Sequence, residues 1–325
     1  MKSSIKKMVI LFARLIDALL APITILSAVW LKMIRRVGVC RMKVSKAIFM
    51  KVGVFPIRDH YFEPMFNSTH LTKSLRDDRL LPGIDFNTKE QLSILSRFEF
   101  NDELMAFPIE KKKELEFYYH NDAFVSGDAE YLYNIIRLYK PSKIIEVGSG
   151  QSTLMAINAI KGNKRYNSGY DCKLISIEPY EAAWLEQLDI TIIRDCVENV
   201  DKRVFHSLGA NDILFIDSSH IIRPQGDVLF EYLEVLPLLE SGVLVHIHDI
   251  FTPKDYLNEM VLDKTFLWNE QYLLEAFLSF NTKFKIIGAL NYLTHNFPEE
   301  LTEKCPILKD EISYREPGSF WIMRN

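Results

Sequence analysis

Five short runs of Val, Ile and Leu constrain the fold of this chain more than any other feature. They lie between residues 143 and 250, in the segments KIIEVGS, KLISIEP, ITIIRD, DILFID and GVLVHIHDI. Segments with apolar residues at helical spacing separate them along the chain. Strands that are this apolar are buried on both faces, which is typical of a parallel sheet covered by helices. The sequence therefore predicts an α/β fold from about residue 121 onward.

The segments around these strands predict the helices. Asp128 is positioned to cap a helix that Pro141 ends, and a second helix is predicted from Thr153 to Ile160. Three more helices are predicted in the segments YEAAWLEQL, NVDKRVFHSL and GDVLFEYLEVLPLL. After the fifth strand, a long helix in NEQYLLEAFLSF precedes two further strands, FKIIGAL and GSFWIMRN, which extend the sheet.

The overall composition argues against several function classes. The net charge is −4 and the pI is near 6.1. The chain therefore lacks the excess of basic residues expected of a protein that binds nucleic acid. Its four cysteines are far apart in the sequence, and no two of them form a CxxC pair. This spacing argues against a disulfide framework or a structural zinc site, and it favours reduced thiols in the cytosol.

An apolar segment near the N-terminus runs from residue 8 to residue 31 and is interrupted by Arg14, Asp17 and Pro22. A spanning helix needs roughly 20 mostly apolar residues. A segment of that length would include Asp17, at a cost of about 3 kcal/mol at the bilayer centre. Because basic residues flank the segment, we expect residues 8–36 to form a helix that lies on a membrane or against a partner. The alternatives are a helix packed on the protein's own core and a single span.

The position of this segment also predicts a location for the protein. No small-residue cleavage site of a secretory signal follows it. Basic residues on both flanks are compatible with the cytoplasmic face of a membrane. We therefore expect a cytoplasmic protein that is attached there.

The stretch EVGSGQST, residues 146–153, ends the first strand in an acid and turns on two glycines. Ligands of open parallel sheets bind beyond the carboxyl ends of the strands, and glycine lets them approach the backbone. The third glycine of a dinucleotide fingerprint and the lysine of a P-loop are absent, so no phosphate cradle is indicated. Glu178 and Asp195 end the next two strands, where acids can bind ribose hydroxyls and an adenine amino group. This pattern favours a phosphate-free nucleoside with a cationic group that Glu146 would attract.

Four segments together resemble a known family. EVGSGQST, SIEPYE, DILFIDSSH and GVLVHIHDIF resemble the successive strand ends of class I S-adenosylmethionine-dependent methyltransferases, especially the small-molecule group with Asp-x-x-His after the fourth strand. The resemblance covers residues 121–290 and the last strand. It implies a Rossmann-like, seven-stranded, mostly parallel sheet with helices on both faces and an antiparallel last strand. It also implies that S-adenosylmethionine is bound by Glu146, Gly148, Gly150, Ser152, Glu178 and Asp195.

The chain departs from the family pattern in three places. Residues 1–50 form the N-terminal helical extension, and residues 51–120 are a lead-in with turn signals that we interpret as a cap over the substrate. The methyltransferase domain then covers residues 121–325, with an insertion at about 289–316. These additional parts are expected to determine substrate choice.

Polar residues follow the fourth and fifth strands, which are neighbours in the family topology. In one interpretation, His248 or His220 takes a proton from an acceptor hydroxyl, and Asp217 positions the base or the acceptor. In the other, Asp217 and Asp249 with one histidine bind a divalent metal such as Mg²⁺. Ile250 stands where some relatives have a third oxygen ligand, which weakens the metal interpretation. His246 lies deeper in its strand and is expected to be a structural core histidine.

Arg223, Trp268 and Asn269 lie near the strand ends in the sequence pattern and are predicted to contact the acceptor. The predicted function is methyl transfer from S-adenosylmethionine to an oxygen, or alternatively a nitrogen, of a small molecule or saccharide unit. One alternative is a metal-dependent oxygenase or hydrolase that uses the His and Asp cluster. Another is a membrane-tethered module of the same fold without catalysis.

Overall fold

The computed structural model describes residues 2–180 and 182–325; Glu181, in the third predicted helix, lies outside the described residues. The chain divides into two compact units, residues 1–72 and residues 73–325. The first unit contains helix α1, Lys2–Val37, and helix α2, Lys43–Val52. The second unit contains the sheet and all of the residues predicted to form the site.

Helix α1 is exposed along its apolar length. From Val9 to Val37 it is long and apolar enough to cross a membrane, with a mean hydropathy of 2.2 over its most apolar window. None of that window is buried. A helix packed on a core buries its apolar side chains, and within residues 2–72 α1 leaves most of its own exposed.

The sheet has seven strands in the order β3-β2-β1-β4-β5-β7-β6. The first six strands run parallel to one another, and β7 lies antiparallel between β5 and β6, as predicted. The strand bounds are β1 Lys143–Val147, β2 Lys173–Ile177, β3 Thr191–Ile193, β4 Ile213–Ile216, β5 Leu244–Ile247, β6 Phe284–Ala289 and β7 Phe320–Arg324.

Helices cover both faces of this sheet. Before and between the strands lie α3 Thr88–Ser96, α4 Asn101–Met105, α5 Asp128–Tyr139, α6 Gln151–Tyr166, α7 Asp227–Phe230 and α8 Glu270–Leu278. Helix α7 continues through a π-helical turn, Glu231–Val235, into a 3₁₀ turn. The insertion before β7 forms α9 Leu290–Asn296, α10 Pro298–Lys304 and α11 Pro306–Glu311.

Two predicted helices are wrong. In YEAAWLEQL the described residues form a 3₁₀ turn, Ala183–Gln187, in place of a helix, and NVDKRVFHSL contains two short 3₁₀ turns. In the second segment, side chains bond to the nearby backbone: Asp201 accepts from the Arg203 N–H, and the Ser207 hydroxyl donates to the Val204 carbonyl. Such local bonds compete with the hydrogen bonds of a helix.

Asp128 does not cap helix α5, contrary to the prediction. The Glu130 carboxylate accepts from the Gly127 N–H at the helix start instead. Asp128 is buried, and its carboxylate accepts from the N–H groups of Ser319, at 2.7 Å, and Gly318, at 3.3 Å. The acid therefore fastens the start of β7 to α5, beside the site.

Alternating strand residues build two cores, one on each face of the sheet. Ile144, Ile213 and Leu244 pack on one face with α5 and α6, and Ile145, Leu214 and Val245 pack on the other. The first core also takes in apolar residues of α3, α4, α10 and α11. Residues 88–105 and the insertion before β7 are thus packed parts of the sheet domain.

Candidate functional site

The carboxyl ends of β1, β2, β4 and β5 bring the predicted polar residues to one edge of the sheet. A cavity of about 240 Å³ lies there. Its walls come from the ends of β1, β2 and β4 and from the residues after β3: Val147, Gly148, Ile177, Glu178, Pro179, Tyr180, Cys196, Val197, Glu198, Asp217, Ser218, Ser219, Arg223 and Asp227. The position agrees with the rule that open α/β sheets bind ligands beyond their strand ends.

The structure requires glycine at only one of the two positions in the turn after β1, for a steric reason. Gly148 has a φ of +76°, and a Cβ there would lie 2.0 Å from the backbone oxygen of Asp217. The close approach of β1 and β4 therefore requires glycine at 148. A Cβ on Gly150 would meet nothing within 4 Å. At Gly150 the chain leaves open space that a ligand could fill.

Glu146 is buried at the end of β1 and is tied to the first turn of α6. Its two carboxylate oxygens accept from the hydroxyls of Ser152, at 2.7 Å, and Thr153, at 2.6 Å. Burial raises the pKa of Glu146 to about 7, against the opposing effect of these hydrogen bonds. The bond between Glu146 and Ser152 thus joins the two ends of the glycine turn and stabilises it.

Glu178 joins the turns after β1 and β2. Its carboxylate accepts from the backbone N–H of Ser149 and from that of Tyr180, each at 3.1 Å. A carboxylate has about four lone-pair sites, so two bonds leave capacity for further donors. Because Glu178 lines the cavity, that capacity is available to a ligand.

Asp195 is exposed at the end of β3 and does not line the cavity. It accepts from the Cys196 N–H and from the Asn199 side chain instead. The adjoining residues Cys196, Val197 and Glu198 form that wall of the cavity, and the sequence analysis did not single them out. The sequence could have indicated these three residues, because a short turn directly after a parallel strand lies at the ligand-binding edge of the sheet.

His220 is held between carboxylates. Its Nδ1 lies 2.8 Å from the buried carboxylate of Glu270, and its Nε2 lies 3.3 Å from Asp217 and 3.8 Å from Asp249. Burial alone would lower the pKa of His220, but the hydrogen bonds to Asp217 and Glu270 outweigh it and raise the pKa well above 6.5. At neutral pH this ring is an imidazolium, which cannot accept a further proton.

His248 has a different environment. Its ring is buried against Phe124, with centroids 5.3 Å apart, and its Nδ1 is buried without a hydrogen-bond partner. Its Nε2 lies 3.8 Å from Asp249, beyond hydrogen-bond distance. Burial lowers the pKa of His248, but Asp249, Asp217 and Asp128 outweigh it and leave the pKa raised. Of the two predicted bases, His248 is the one with an unpartnered ring nitrogen, the buried Nδ1, and its ring does not line the cavity.

His246 is the structural histidine that its depth in the strand predicts. It stacks on Phe215 with centroids 4.0 Å apart, and its Nε2 lies 2.9 Å from the Ser319 hydroxyl. Burial and the neighbouring His248 lower its pKa well below 6.5, so His246 is neutral.

Asp217 keeps its negative charge. Burial would raise its pKa, but His248 and His220 outweigh this effect and lower the pKa of Asp217 to about 2. Its side chain remains partly exposed toward the cavity. A charged carboxylate therefore faces any ligand bound there.

The metal interpretation finds no support in the described part of the chain. Residues 2–180 and 182–325 contain no group of three or more His, Cys, Asp and Glu side chains arranged to hold a metal ion. There is a physical reason: the His220 imidazolium already lies between Asp217 and Asp249, where a cation would bind. The oxygenase and hydrolase alternatives, which need such a metal, are therefore not supported by the described residues.

The three residues predicted to contact an acceptor have separate surroundings. Arg223 lines the cavity, with its guanidinium 4.0 Å from Asp227. Trp268 packs on the His220 ring at 4.3 Å. The Asn269 side chain accepts from the Ile222 N–H at 2.6 Å, so it fixes the loop after β4.

Two buried acids behind the site were missed by the sequence analysis. Glu270 is fully buried and its Oε1 lacks a partner, while Oε2 bonds His220. Glu231, in the π-helical turn after α7, accepts from the Ser218 hydroxyl at 2.9 Å, and burial beside Glu270 raises its pKa well above 4.5. Both acids lie in apolar helical patterns, where a lone Glu resembles a solvent-facing residue.

The central segment of the chain matches a known family model. Residues 145–250, about a third of the chain, match the family model Methyltransf_24, described as a methyltransferase domain. That segment runs from β1 to just past β5 and contains the glycine turn, Glu178, Asp217 and both candidate bases.

Individual relatives are more distant. An uncharacterized protein of Archaeoglobus fulgidus is 28% identical over 202 residues, which are 58% of this chain and 89% of that protein. An O-methyltransferase from Bacillus cereus, solved in complex with SAH, is 10% identical with a TM-score of 0.36 over 72% of this chain and 91% of its own. A putative protein-L-isoaspartate O-methyltransferase from Plasmodium falciparum, also solved with S-adenosyl-L-homocysteine, is 16% identical with a TM-score of 0.26, over 50% and 84% of the two chains. Both TM-scores are below 0.5, so the likeness that bears on this chain is the match of residues 145–250 to a methyltransferase domain.

The geometry around His220 predicts a pH effect on stability. A histidine whose folded pKa is raised stabilises the fold fully below its unfolded pKa near 6.5, and this contribution disappears as pH rises through the folded pKa. Glu270→Gln removes one carboxylate, so the pKa of His220 falls. At pH values near 6, the free energy of unfolding of the variant should be about 3 kcal/mol lower than that of the wild type. Urea unfolding from about pH 6 to 9 measures the difference, with the exposed Glu259→Gln as control. Parallel pH curves for wild type and Glu270→Gln would contradict the charged His220.

Proposed function

We propose that this chain, whose residues 145–250 match a methyltransferase domain, is a class I S-adenosylmethionine-dependent methyltransferase that methylates an oxygen of a small molecule or saccharide unit. The observation that carries the choice of oxygen is His248, a buried imidazole with an unpartnered nitrogen beside the ionised Asp217. A hydroxyl acceptor has to lose a proton, and a base with a pKa near neutral suits that role. Nitrogen acceptors remain the second candidate.

The residues at the strand ends fit S-adenosylmethionine. The open space at Gly150 admits a ligand close to the backbone, and the spare lone pairs of Glu178 suit the two hydroxyls of a ribose. Cys196 and Glu198 form the wall where the adenine would lie, with Asp195 beside them. Gly148 and the Glu146–Ser152 pair support the turn. When bound, S-adenosylmethionine supplies the electrophilic methyl group.

The remaining residues have roles in moving and holding the acceptor proton. His248 accepts the proton of the acceptor hydroxyl, and Asp217, Asp249 and Asp128 stabilise the imidazolium that forms. His220 stays charged and fixes Asp217 in place through its Nε2. Alignment of acceptor and donor in such a site can contribute several kcal/mol to lowering the barrier.

The acceptor site is proposed to lie beside Arg223 and Trp268. Arg223 lines the cavity and could bind an anionic group. Trp268 packs against the His220 and Phe266 rings, so its proposed part is to hold the His220 side of the acceptor site in place. Asn269 has its side-chain oxygen engaged with the loop backbone, so it acts on the acceptor through that loop.

Residues 8–36 are proposed to contact a membrane from the cytoplasmic side. The exposed apolar side chains of α1, together with Arg35 and Arg36 at its end, support this proposal. A lipid-linked saccharide then becomes a reasonable acceptor. The other proposed class is a soluble small molecule.

Replacement of Glu178 tests the cofactor site. Glu178→Gln should weaken S-adenosylmethionine binding by about 10- to 100-fold, because hydrogen bonds to a charged group contribute roughly 1.5–3 kcal/mol. Isothermal titration calorimetry measures the change, and Asp189→Asn, an exposed acid in the same β2–β3 connection, is the control. Unchanged binding in a folded Glu178→Gln variant would remove Glu178 from the cofactor site.

Replacement of His248 tests the base. His248→Gln should lower kcat by roughly 10²–10⁴-fold, with cofactor binding unchanged. The wild-type rate should rise with pH through the pKa of His248, which is displaced above 6.5, because only the neutral ring accepts a proton. Release of S-adenosylhomocysteine is followed with a panel of phenols, sugar nucleotides and polyprenyl-linked saccharides. Full activity in His248→Gln together with loss in His220→Gln would assign the base to His220 instead.

Charges placed on α1 test the membrane contact. The double variant Leu19→Asp, Leu26→Asp puts two acids on exposed apolar positions, each costing about 3 kcal/mol in a bilayer. In vesicle flotation, the wild type should float and the double variant should stay in the soluble fraction. The matched control is Leu80→Asp, also exposed but outside α1. Equal flotation of the wild type and the double variant would contradict the proposed contact.

A further inference from the structure

Helix α2 carries an apolar stripe that nothing in the described chain covers. Val44, Ile48 and Val52 are spaced four residues apart, so they lie in a line along one side of the helix. They are 76%, 54% and 67% exposed, and no residue of α2 is buried. The helix ends at Gly53, whose N–H bonds the Phe49 carbonyl. A ten-residue helix is marginal in water without a surface to pack on.

The charge around this stripe has one sign. Residues 18–58 contain eight Lys and Arg and no Asp or Glu. At 3.6 residues per turn, Lys43 and Lys46 lie on the side of α2 opposite the stripe, and Lys51 lies at its border. This arrangement, apolar on one side and basic on the other, is typical of helices that lie in the headgroup region of an anionic bilayer.

Exposed aromatic rings belong to the same unit. Tyr61 and Phe62 are 83% and 79% exposed, with ring centroids 4.1 Å apart. Aromatic rings of this kind are enriched at membrane–water interfaces, where one part of the ring is apolar and the other meets water.

Contacts within the unit hold these parts at the C-terminal end of α1. Arg35, in the last turn of α1, lies over the Phe55 ring at 5.1 Å and forms an ion pair with Glu63. Phe55 in turn packs edge-on against Phe49 of α2, with centroids 6.1 Å apart. The apolar stripe and the aromatic pair are therefore anchored where an apolar helix meets its basic flank.

We infer that α2, together with Tyr61 and Phe62, is an interfacial docking surface for an anionic phospholipid bilayer, separate from the contact made by α1. A second copy of the chain is a poorer occupant, because pairing two such surfaces would bring like charges together. Methyl transfer is independent of this inference and is measured by other means.

Site-directed spin labels on the full chain test the surface. In a Cys40→Ser, Cys172→Ser, Cys196→Ser background, which removes the three cysteines that are not buried, labels are placed one at a time at Ile48, at Lys46 and, as a reference in α1, at Leu19. The chain is mixed with phosphatidylcholine vesicles with or without phosphatidylglycerol. Collision with oxygen reports the lipid phase, and collision with a nickel chelate reports water.

With phosphatidylglycerol, the Ile48 label should be reached by oxygen and protected from nickel, while the Lys46 label shows the reverse. Without it, the Ile48 label should become accessible to nickel. Nickel access at Ile48 in anionic vesicles would overturn the inference, whatever the Leu19 label shows. If Leu19 is also accessible to nickel, the contact proposed for α1 fails as well.

The charge dependence has its own matched control. Lys43→Gln, Lys46→Gln and Lys51→Gln together should raise the phosphatidylglycerol fraction needed to protect Ile48, since each charge near an anionic surface is worth about fivefold in partitioning. Lys111→Gln, Lys112→Gln and Lys113→Gln remove the same charge from the other unit. Equal shifts in both triple variants would show that only net charge matters and would overturn the assignment to α2.

Discussion

The His220 side chain, bonded to Glu270 at 2.8 Å and facing Asp217 at 3.3 Å, is the interaction on which the site depends. It joins the loop after β4 to the start of α8. The backbone repeats the connection, because the His220 carbonyl accepts from the N–H groups of Asn269 and Glu270. His220 itself has a φ of +59°, which a non-glycine residue adopts only when its surroundings fix it. The loop that lines the cavity is therefore held by charge as well as by hydrogen bonds.

This interaction also separates the roles of two histidines that look equivalent in sequence. His220 and His248 both follow strand ends and both lie among acids. His220 has a carboxylate within hydrogen-bond distance of each ring nitrogen, so its proton is held. His248 has acids nearby but none within hydrogen-bond distance, which raises its pKa without blocking its nitrogen. A difference of about 1 Å in distance thus distinguishes a fixed charge from a candidate base.

The sequence predicted the sheet better than the site. Continuous apolar strands and one glycine turn were enough for seven strands, because burial on both faces leaves a clear pattern. Local hydrogen bonding accounts for one of the two wrong helices, since Asp201 and Ser207 bond to the nearby backbone in NVDKRVFHSL. Glu270 could not be found because its importance arises from His220, 50 residues earlier, and no local pattern records that contact. Asp195 was predicted to contact the cofactor because it follows a strand end, whereas the residues that line the cavity begin one position later, at Cys196.

The charges around His248 also bear on how the site would accommodate the proposed reaction. Asp217 and Asp249 are two acids beside His248, and the His220 imidazolium supplies one fixed positive charge between them. When His248 takes the proton of an acceptor hydroxyl, it gains one positive charge. S-adenosylmethionine, if bound there, would supply the methyl group and lose the positive charge of its sulfonium. The two carboxylates would therefore face the same total charge before and after transfer, so the site would need no reorganisation of its fixed charges during the reaction.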